Sequence, residues 1–433
     1  MPSRRCRHRR PGGAPVRFAV VFLLALVAAA CSAEAPSDTA GGGSPGAGPA
    51  TTPAEEATGT VTGTASETDG AAGGGEAVVI GVNIEQSGPA SVQGEAYARA
   101  VTLLAERMNA EGGILGRPVE LEIVDNATDQ TEAVTRTRRL ADSGAVAMIG
   151  PGTSPTTLAA MDVILSTGIP TISMGSADPI TDPADERPNV FKTAQRGSLM
   201  AREIVDHMTA AGITKAGLIA VNNPYGDSGI AAMEAVAQEG DIELVGVEKF
   251  EAADTDMTAQ LDNLLNAGAE AIVTWSIPPG APTVRRNAVE TLDIQIPMYF
   301  DAGAGAELFV ELAGDAANGA LVVHPKTLVW DQVPDDDPQA EVLREFGEAY
   351  TDEYGAMSGF AGYAWDALGL FKAAMEKSGD TTPEAVVSGL ESLGEYVGVT
   401  GTFEITAQDH QGLAEGDLLM LTVEDGEWRP AQE

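Results

Sequence analysis

From residue 77 onward, apolar positions alternate between the period typical of strands and the period typical of helices. Ala77–Asn83 is an apolar strand, and the helical face that follows it carries Tyr97, Val101, Leu104, Ala105 and Met108. Further strands are predicted at Val119–Val124, Val146–Ile149 and Ile169–Ser173, with helices over Ala133–Ala141 and Thr156–Ser166. Strands that alternate with helices predict a parallel sheet with helices on both faces.

The same pattern then begins again. Strands are predicted at Lys215–Val221, Leu244–Phe250, Ala271–Trp275 and Pro297–Phe300, with helices over Ser228–Gln238, Met257–Asn266 and Thr283–Thr291. Two such series predict an α/β protein of two lobes. A later helix, Gly359–Ser378, is expected to pack back on the first lobe, so that the chain crosses between the lobes more than once.

The N-terminus differs from the rest of the chain. Residues 1–30 hold six Arg and no acid, and Phe18–Ala30 is an uncharged apolar run. A spanning helix needs about 20 apolar residues, so residues 1–30 are predicted to be an export signal. The run ends in Val27-Ala28-Ala29-Ala30-Cys31, which resembles the lipobox of bacterial lipoproteins. The alternative is an ordinary signal peptide with an incidental cysteine.

In lipoproteins the signal is cut before the cysteine, and the cysteine then carries the acyl chains. The resemblance therefore implies lipidation of Cys31 and an extracytoplasmic protein anchored to the outer face of the cytoplasmic membrane. Residues 32–76 are Gly, Ala, Pro, Ser, Thr and acid, with Val61 as the only large aliphatic residue. Such a segment buries no core, so 31–76 is predicted to be a lipidated cysteine followed by a disordered linker.

Composition excludes several function classes. The formal charge is −39, and it becomes −45 once residues 1–30 are removed. Recognition of phosphate needs clustered Lys and Arg, so no nucleic-acid partner is expected. Two cysteines exclude a framework of several disulfides, and four scattered histidines favour neither a metal site nor a cofactor.

The loop after the Val146–Ile149 strand is the first candidate site. It reads Gly150-Pro151-Gly152-Thr153-Ser154-Pro155, in which Ser154 is predicted to be the N-cap of the next helix and Pro155 its first residue. A helix start presents N–H groups to an anion, and ligands of open parallel sheets bind beyond the carboxyl ends of the strands. The loop Ser173–Asp178 is expected on the same rim. Local pattern alone is equally consistent with simple caps and turns.

Longer motifs resemble one family over about residues 78–428. They are Ser87-Gly88-Pro89, Asn109-Ala110-Glu111-Gly112-Gly113, Asn223-Pro224-Tyr225-Gly226, Ala313–Gly319 and Tyr363-Ala364-Trp365-Asp366-Ala367. They resemble the leucine/isoleucine/valine-binding family, the extracytoplasmic solute receptors of ABC importers with the type I periplasmic-binding fold. The resemblance implies two Rossmann-like lobes that are joined by a three-crossover hinge and close on the ligand.

The implied domains are 77–192 plus 326–406 for lobe 1 and 193–325 plus 407–430 for lobe 2. The crossovers fall near Phe191–Thr193, Val323–Lys326 and Thr406–Gly412. The implied partners are a small-molecule ligand, an ABC permease with its ATPase, and the membrane through the lipid anchor. A monomer is expected.

The resemblance also implies ligand-binding residues. In the first lobe these are Gln93, Thr153, Ser154, Gly175, Ser176 and Ala177, and in the second lobe Tyr225, Trp275 and Asp301. Ser154 matches the serine that holds the ligand carboxylate, and Asp301 lies where the family places an acid against the ammonium. Ala177 lies where threonine is common in the family. Its backbone N–H remains available to a ligand but a hydroxyl is missing, and the hydroxyl of Ser176 is expected to replace it.

The clearest departure from the family is Gln93, which lies where branched-chain receptors place a tryptophan over the ligand side chain. Glutamine removes apolar contact and adds a donor and an acceptor. A more polar amino acid, an amide or a urea-like solute is therefore as well suited as leucine. Each position also has a structural interpretation: Tyr225 as a helix-start contact, Trp275 as core and Asp301 as a turn residue.

The two rival functions are an enzyme and a ligand-sensing receptor subunit. An enzyme is disfavoured because Gly152-Thr153-Ser154-Pro155-Thr156 lacks the closing glycine of a nucleophile elbow and no histidine has an evident nucleophile to serve. A phosphate-binding loop ending in Gly-Lys-Ser/Thr is missing from the sequence too. A ligand-sensing receptor subunit for a membrane signalling protein has the same fold and site, and the sequence leaves that alternative open.

Overall fold

The computed structural model describes residues 75–414 and 416–432. The predicted signal peptide, Cys31 and the linker up to residue 74 lie outside the described residues. Among the described helices, none is both long and apolar enough to cross a bilayer.

The first sheet is fully parallel, in the order β2-β1-β3-β4-β5. Its elements are β1 (Val78–Ile84), α1 (Ser91–Ala110), β2 (Val119–Asp125), α2 (Gln130–Asp142), β3 (Ala147–Ile149), α3 (Ser154–Thr167), β4 (Thr171–Ser173) and β5 (Val190–Lys192). Six of the seven residues of β1 are buried, because helices cover both faces of the sheet. This sheet and its helices are called the first lobe.

The second sheet has the order β14-β13-β10-β9-β8-β6-β7. Its lobe, the second lobe, begins with α4 (Gly197–Ala210), β6 (Lys215–Val221), α5 (Pro224–Glu239), β7 (Glu243–Phe250), α6 (Thr258–Asn266), β8 (Ala271–Trp275), α7 (Gly280–Arg286), β9 (Met298–Phe300), α8 (Glu307–Ala313) and β10 (Leu321–Pro325). Strands β6 to β10 pair in parallel, as the alternating pattern predicts.

The remaining elements return to both lobes. They are α9 (Ala340–Tyr354), α10 (Ala361–Ser378), α11 (Pro383–Glu391), β11 (Gly394–Val397), β12 (Thr402–Ile405), β13 (Leu418–Glu424) and β14 (Glu427–Pro430). Helix α10 joins the apolar core of the first lobe, as the sequence predicts for Gly359–Ser378. Strands β13 and β14 instead extend the second sheet in antiparallel fashion, so this sheet is mixed rather than wholly parallel.

The chain therefore passes between the lobes after β5, after β10 and between β12 and β13. The first and third of these crossovers touch each other. The Lys192 N–H donates to the His410 carbonyl at 3.2 Å, and the Phe191 and His410 rings lie 4.3 Å apart. Side-by-side crossovers give the two lobes a common axis at which backbone rotation can occur.

Helix α3 begins one residue earlier than predicted. Its N-cap is Thr153, which has an extended backbone (φ −113°, ψ 156°), and the prediction of Ser154 as the cap was wrong. The Thr153 N–H donates to Thr156 Oγ1 at 3.3 Å, which gives a capping box. Pro155 is accommodated at the second helical position because N–H groups of the first turn have no partner inside the helix.

A buried carboxylate fixes the loop between β11 and β12 to α10. Asp366 Oδ1 accepts from the Val399 N–H at 2.9 Å, and its Oδ2 accepts from the Thr400 N–H at 2.8 Å. Burial raises the pKa of Asp366 to about 6, which its hydrogen bonds from Thr400 and Val399 partly offset. The side chain has no exposure, so its loss leaves two buried N–H groups unpaired.

We expect Asp366→Ala to lower the free energy of unfolding by about 2–4 kcal/mol, because unpaired buried donors lose their full hydration without compensation. Urea denaturation at pH 7 measures the change. The matched control is Asp162→Ala on the exposed face of α3, for which a change within about 0.5 kcal/mol is expected. Equal effects of the two substitutions would contradict this role of Asp366.

Candidate functional site

A cavity of about 320 Å³ lies between loops that follow the strands of both sheets. From the first lobe, residues at the start of α1, the loops after β3 and β4, and the start of α10 line it. From the second lobe, residues that follow β6, β8 and β9 line it. This is the position in which ligands bind to open α/β sheets. Its volume falls at the small end of the range for ligand pockets, which begins at roughly 300 Å³.

The start of α3 forms one end of the cavity. Thr153 and Ser154 line it, together with Gly175 and Ser176 of the loop after β4. The Ser154 hydroxyl accepts from the Ala177 N–H at 3.1 Å, so the two loops are joined at this point. A Cβ on Gly175 would lie 2.8 Å from Ser154 N, and only glycine therefore permits this close approach.

A buried cation, Lys192, also holds the loop after β4 in place. Lys192 Nζ donates to the Ser176 carbonyl at 2.8 Å and lies 3.5 Å from Asp178 Oδ1. Lys192 has no exposure, and burial lowers the pKa of its ammonium to about 8, with Asp178 partly opposing the shift. Asp178 Oδ1 in turn accepts from the Gly197 N–H at the start of α4, at 2.9 Å.

A direct hydrogen bond joins the two lobes beside the cavity. The Asp178 N–H of the first lobe donates to Ser228 Oγ of helix α5 at 3.0 Å. Together with the Asp178–Gly197 contact, this bond fixes the distance between the loop after β4 and the second lobe.

The wall of the second lobe centres on Tyr225, which is 8% exposed and lines the cavity. Its hydroxyl donates to Asp301 Oδ2, which also accepts from the Gly303 N–H at 2.7 Å. Asp301 Oδ1 accepts from the Ser276 N–H at 2.7 Å. Burial raises the pKa of Asp301 to about 8, and the Gly303 and Ser276 N–H groups offset only part of that shift.

Trp275 lies one layer deeper, next to Tyr225. Its ring is 6.3 Å from the Tyr225 ring, and only 1% of the residue is exposed. A Cβ on Gly229 would overlap the indole, so Gly229 makes room for Trp275. The indole thus supports the tyrosine, and it does not line the cavity itself.

The predicted site residues therefore divide into two groups. Those that line the cavity are Gln93, Thr153, Ser154, Gly175, Ser176 and Tyr225. Those that lie directly behind the lining are Ala177, Trp275 and Asp301, each at most 1% exposed. Ala177 contacts Ser154, and the other two contact Tyr225.

Four polar residues in or behind the cavity wall were not predicted as site residues from the sequence. Tyr97, Gln195 and Tyr363 line the cavity, and Glu85 lies behind Gly152. Tyr97 was predicted only as part of an apolar helical face. A signal for Glu85 did exist in the sequence, since an acid at the end of an otherwise apolar strand is costly to bury without a purpose.

The charged groups near the cavity lie behind its lining. Among the residues that the structure describes, the lining itself includes no Asp, Glu, Lys, Arg or His. Behind it, Glu85 accepts from the Thr153 N–H, Asp301 accepts from the Tyr225 hydroxyl, and Lys192 donates to the Ser176 carbonyl. A positive or hydrogen-donating group of a solute is therefore favoured beside the two acids, and not beside the loop after β4.

Several known proteins with similar sequences have names that describe the binding of amino acids. The chain is 24% identical over 330 residues to the Leu/Ile/Val-binding protein homolog 1 of Brucella abortus (strain 2308), covering 75% of this chain and 85% of that protein. It is 23% identical over 348 residues to the leucine-, isoleucine-, valine-, threonine- and alanine-binding protein of Pseudomonas aeruginosa, covering 79% of this chain and 87% of that protein.

Solved structures agree with these relatives. A branched-chain amino acid transporter substrate binding protein from Streptococcus pneumoniae, in complex with isoleucine, superposes with a TM-score of 0.72 at 25% identity, covering 81% of this chain and 97% of that chain. An extracellular ligand-binding receptor from Rhodopseudomonas palustris HaA2 superposes with a TM-score of 0.77 at 22% identity, covering 83% of this chain and 100% of that chain.

These comparisons confirm the predicted α/β fold of type I periplasmic binding proteins and the predicted family resemblance. The relatives and the fold are those of solute-binding proteins and not of enzymes. The family described as periplasmic binding protein matches residues 77–427, which is most of the sequence. The chain belongs to the periplasmic binding protein family.

Proposed function

We propose that this protein is the extracytoplasmic solute-binding lipoprotein of an ABC importer. It captures an amino acid or a related small polar solute, such as an amide or a urea-like compound, by closing its two lobes around it. The observation that carries the proposal is the cavity itself, because it is lined by polar groups from the corresponding edges of both sheets. The S. pneumoniae and P. aeruginosa relatives, which are described as binding amino acids, support the ligand class.

The ligand carboxylate binds at the start of α3. Ser154 Oγ donates to it, and the Ser176 N–H lies on the adjoining loop. The N–H groups of Gly175 and Ala177 hold that loop in place, because they donate to Ser173 Oγ and Ser154 Oγ. The partial positive charge at the helix N-terminus adds to the attraction. Thr153 lines the same end of the cavity as the N-cap, and its N–H is shared between Thr156 Oγ1 and Glu85 Oε1. The carboxylate is therefore placed beside Ser154 and Ser176, away from Glu85.

The ligand ammonium binds on the opposite side, towards the second lobe. Asp301 supplies the negative charge, and Tyr225 forms the adjoining surface, with Trp275 supporting its ring. Tyr225 and Gly303, which both contact the Asp301 carboxyl, line the cavity, and this supports the assignment. Gln93 then faces the ligand side chain.

Closure occurs by rotation at the crossovers. We divide the chain into lobe 1 (77–192 and 326–406) and lobe 2 (193–325 and 407–430). Most members of the three apolar clusters follow this division. Leu328 and Val329 instead pack with the second-lobe core, and Ala194, Ala306 and Leu413 pack with the first-lobe core. The Asp178–Ser228 hydrogen bond is a contact of the closed form, because its two partners belong to different lobes.

Delivery of the solute requires further partners. Cys31 carries the lipid after removal of residues 1–30, and the linker holds the lobes away from the membrane surface. The monomer then presents its closed form to the permease and ATPase complex.

The first prediction concerns ligand binding. We expect one class among amino acids, amides, urea and short peptides to raise the melting temperature, since a ligand at 100 times its Kd stabilises the native state by about 2.7 kcal/mol. The shift should disappear in Ser154→Ala and Tyr225→Ala and persist in Ser166→Ala, which alters an exposed serine of the same helix. A full panel without any shift would contradict the proposed ligand class.

The second prediction concerns pH. Because the pKa of Asp301 is about 8, only a minor fraction of the protein holds the charged carboxylate at pH 6, and that fraction grows as the pH rises. The apparent Kd for an ammonium-bearing ligand should therefore fall by up to about tenfold per pH unit between pH 6 and pH 8. Calorimetric titration measures it. In Asp301→Asn the dependence should flatten, and a pH-independent Kd in the unaltered protein would rule out this role for Asp301.

The third prediction concerns the anchor. Cys31→Ala should move the protein from the membrane fraction to the soluble fraction and abolish incorporation of labelled fatty acid, since several acyl chains are needed for firm anchoring. Cys6→Ala is the matched control, because Cys6 belongs to the segment that is removed. Membrane retention of the Cys31 variant would be evidence against lipidation.

A further inference from the structure

One wall of the cavity carries several buried oxygens that have no partner among the described residues. Gln93 Oε1, Tyr97 OH and Gln195 Oε1 make no hydrogen bond to any residue that the structure describes. All three side chains line the cavity, and their residues are 9%, 0% and 2% exposed. Buried polar atoms are normally paired, so an unpaired group of this kind requires an explanation.

These oxygens belong to one continuous surface. Gln93 and Tyr97 are four residues apart on α1 and therefore share a face of the helix. The Tyr97 ring lies 6.4 Å from the Phe360 ring, edge to face, and Tyr363 lies on the same segment of chain. Burial raises the pKa of the Tyr363 hydroxyl and the neighbouring Gln195 amide partly opposes that shift, so Gln195 lies beside Tyr363 and completes the surface. We call these four polar residues, Gln93, Tyr97, Gln195 and Tyr363, the polar wall.

An acid lies directly behind the polar wall. Glu85 Oε1 accepts from Thr156 Oγ1 at 2.8 Å, from Asn126 Nδ2 at 3.1 Å and from the Thr153 N–H at 3.2 Å. Its Oε2 has no partner among the described residues. A Cβ on Gly152 would overlap this oxygen and would also crowd the Tyr97 ring, so glycine at 152 makes room for the carboxyl. Burial raises the pKa of Glu85, and the bonds from Thr156 and Asn126 oppose the shift.

This chemistry discriminates between ligand side chains. An aliphatic side chain against the polar wall would leave the buried oxygens unpaired, and such unpaired groups are what allows a site to reject an apolar isostere. A side chain with N–H groups would satisfy the two glutamine carbonyls and the Tyr97 hydroxyl. Glu85 additionally favours a positive charge at this end of the cavity.

We propose that the polar wall, with Glu85 behind it, selects an amino acid whose side chain ends in a nitrogen hydrogen-bond donor, either an amide or a cation. This rests on the proposed function, since it concerns the same cavity. Gln93, Tyr97 and Gln195 contact the side-chain nitrogen. Glu85 is a positioning residue that acts through its charge and through the Tyr97 ring.

The test compares near-isosteric pairs of amino acids by calorimetric titration of the purified full chain. The pairs are asparagine with leucine, glutamine with methionine, and lysine with norleucine. We expect the nitrogen-bearing member of at least one pair to bind at least about tenfold more tightly. If an apolar member binds and no nitrogen-bearing member binds more tightly than its apolar partner, the selectivity is overturned and the proposed function stands. If no member of any pair binds, this inference is overturned, and the thermal-shift panel decides the proposed function separately.

Two single-atom variants locate the effect. Tyr97→Phe removes only the unpaired hydroxyl and should weaken the preferred ligand about three- to tenfold. Tyr350→Phe removes another buried hydroxyl, within the first-lobe core and away from the lining, and should leave the Kd unchanged. Equal effects of the two variants on Kd would overturn the role of the polar wall.

Glu85→Gln separates the two nitrogen sources. It retains a carbonyl acceptor for Thr156 and Asn126 and removes the charge. If the preferred ligand is lysine, its affinity should fall at least about tenfold while norleucine is unaffected. If the preferred ligand is asparagine or glutamine, the change should stay within about threefold. A lysine-preferring protein that is indifferent to this substitution would overturn the role assigned to Glu85.

Discussion

The need to pair one buried ammonium group organises the region around the cavity. Lys192 ends β5 at the first crossover, and its Nζ has no access to solvent. It therefore binds the Ser176 carbonyl and approaches Asp178, which in turn contacts the start of α4 and Ser228. Through these bonds a single cation links the loop after β4, the crossover after β5 and the second lobe, so that the position of each constrains the others.

The two sets of loops reach a common edge for a simpler reason. In a parallel sheet every strand runs in the same direction, so the loops after β3 and β4 emerge side by side, and those after β6, β8 and β9 do likewise. Alternation of strands and helices is visible in the sequence, and for this reason the lobes and the Ser154 loop could be predicted, whereas Tyr225 was predicted from the family resemblance. Strands β13 and β14 could not, because their place is set by pairing with β10, which is distant in sequence.

The site itself was only partly accessible from sequence. Ser154, Gly175 and Tyr225 follow strands directly and are local in origin. Glu85 and Tyr97 both lie against Gly152, and Glu85 also binds Thr156. For Glu85 these partners are about 70 residues away in sequence, and the periodicity of apolar positions cannot predict such distant contacts. Tyr97 was correctly predicted as part of an apolar helical face, because its ring packs in the first-lobe core. The same side chain also lines the cavity, which the helical pattern could not indicate.

The close approach of Glu85 to Gly152 has an evolutionary consequence. Any side chain at position 152 would occupy the volume that the carboxyl now fills, so a larger residue there requires a shorter one at position 85. The two positions are coupled and are expected to covary among homologues, with glycine accompanying the long acid. A change of cargo along this lineage would then proceed by paired exchange, and a library that randomises both codons together would reach variants that stepwise mutation does not.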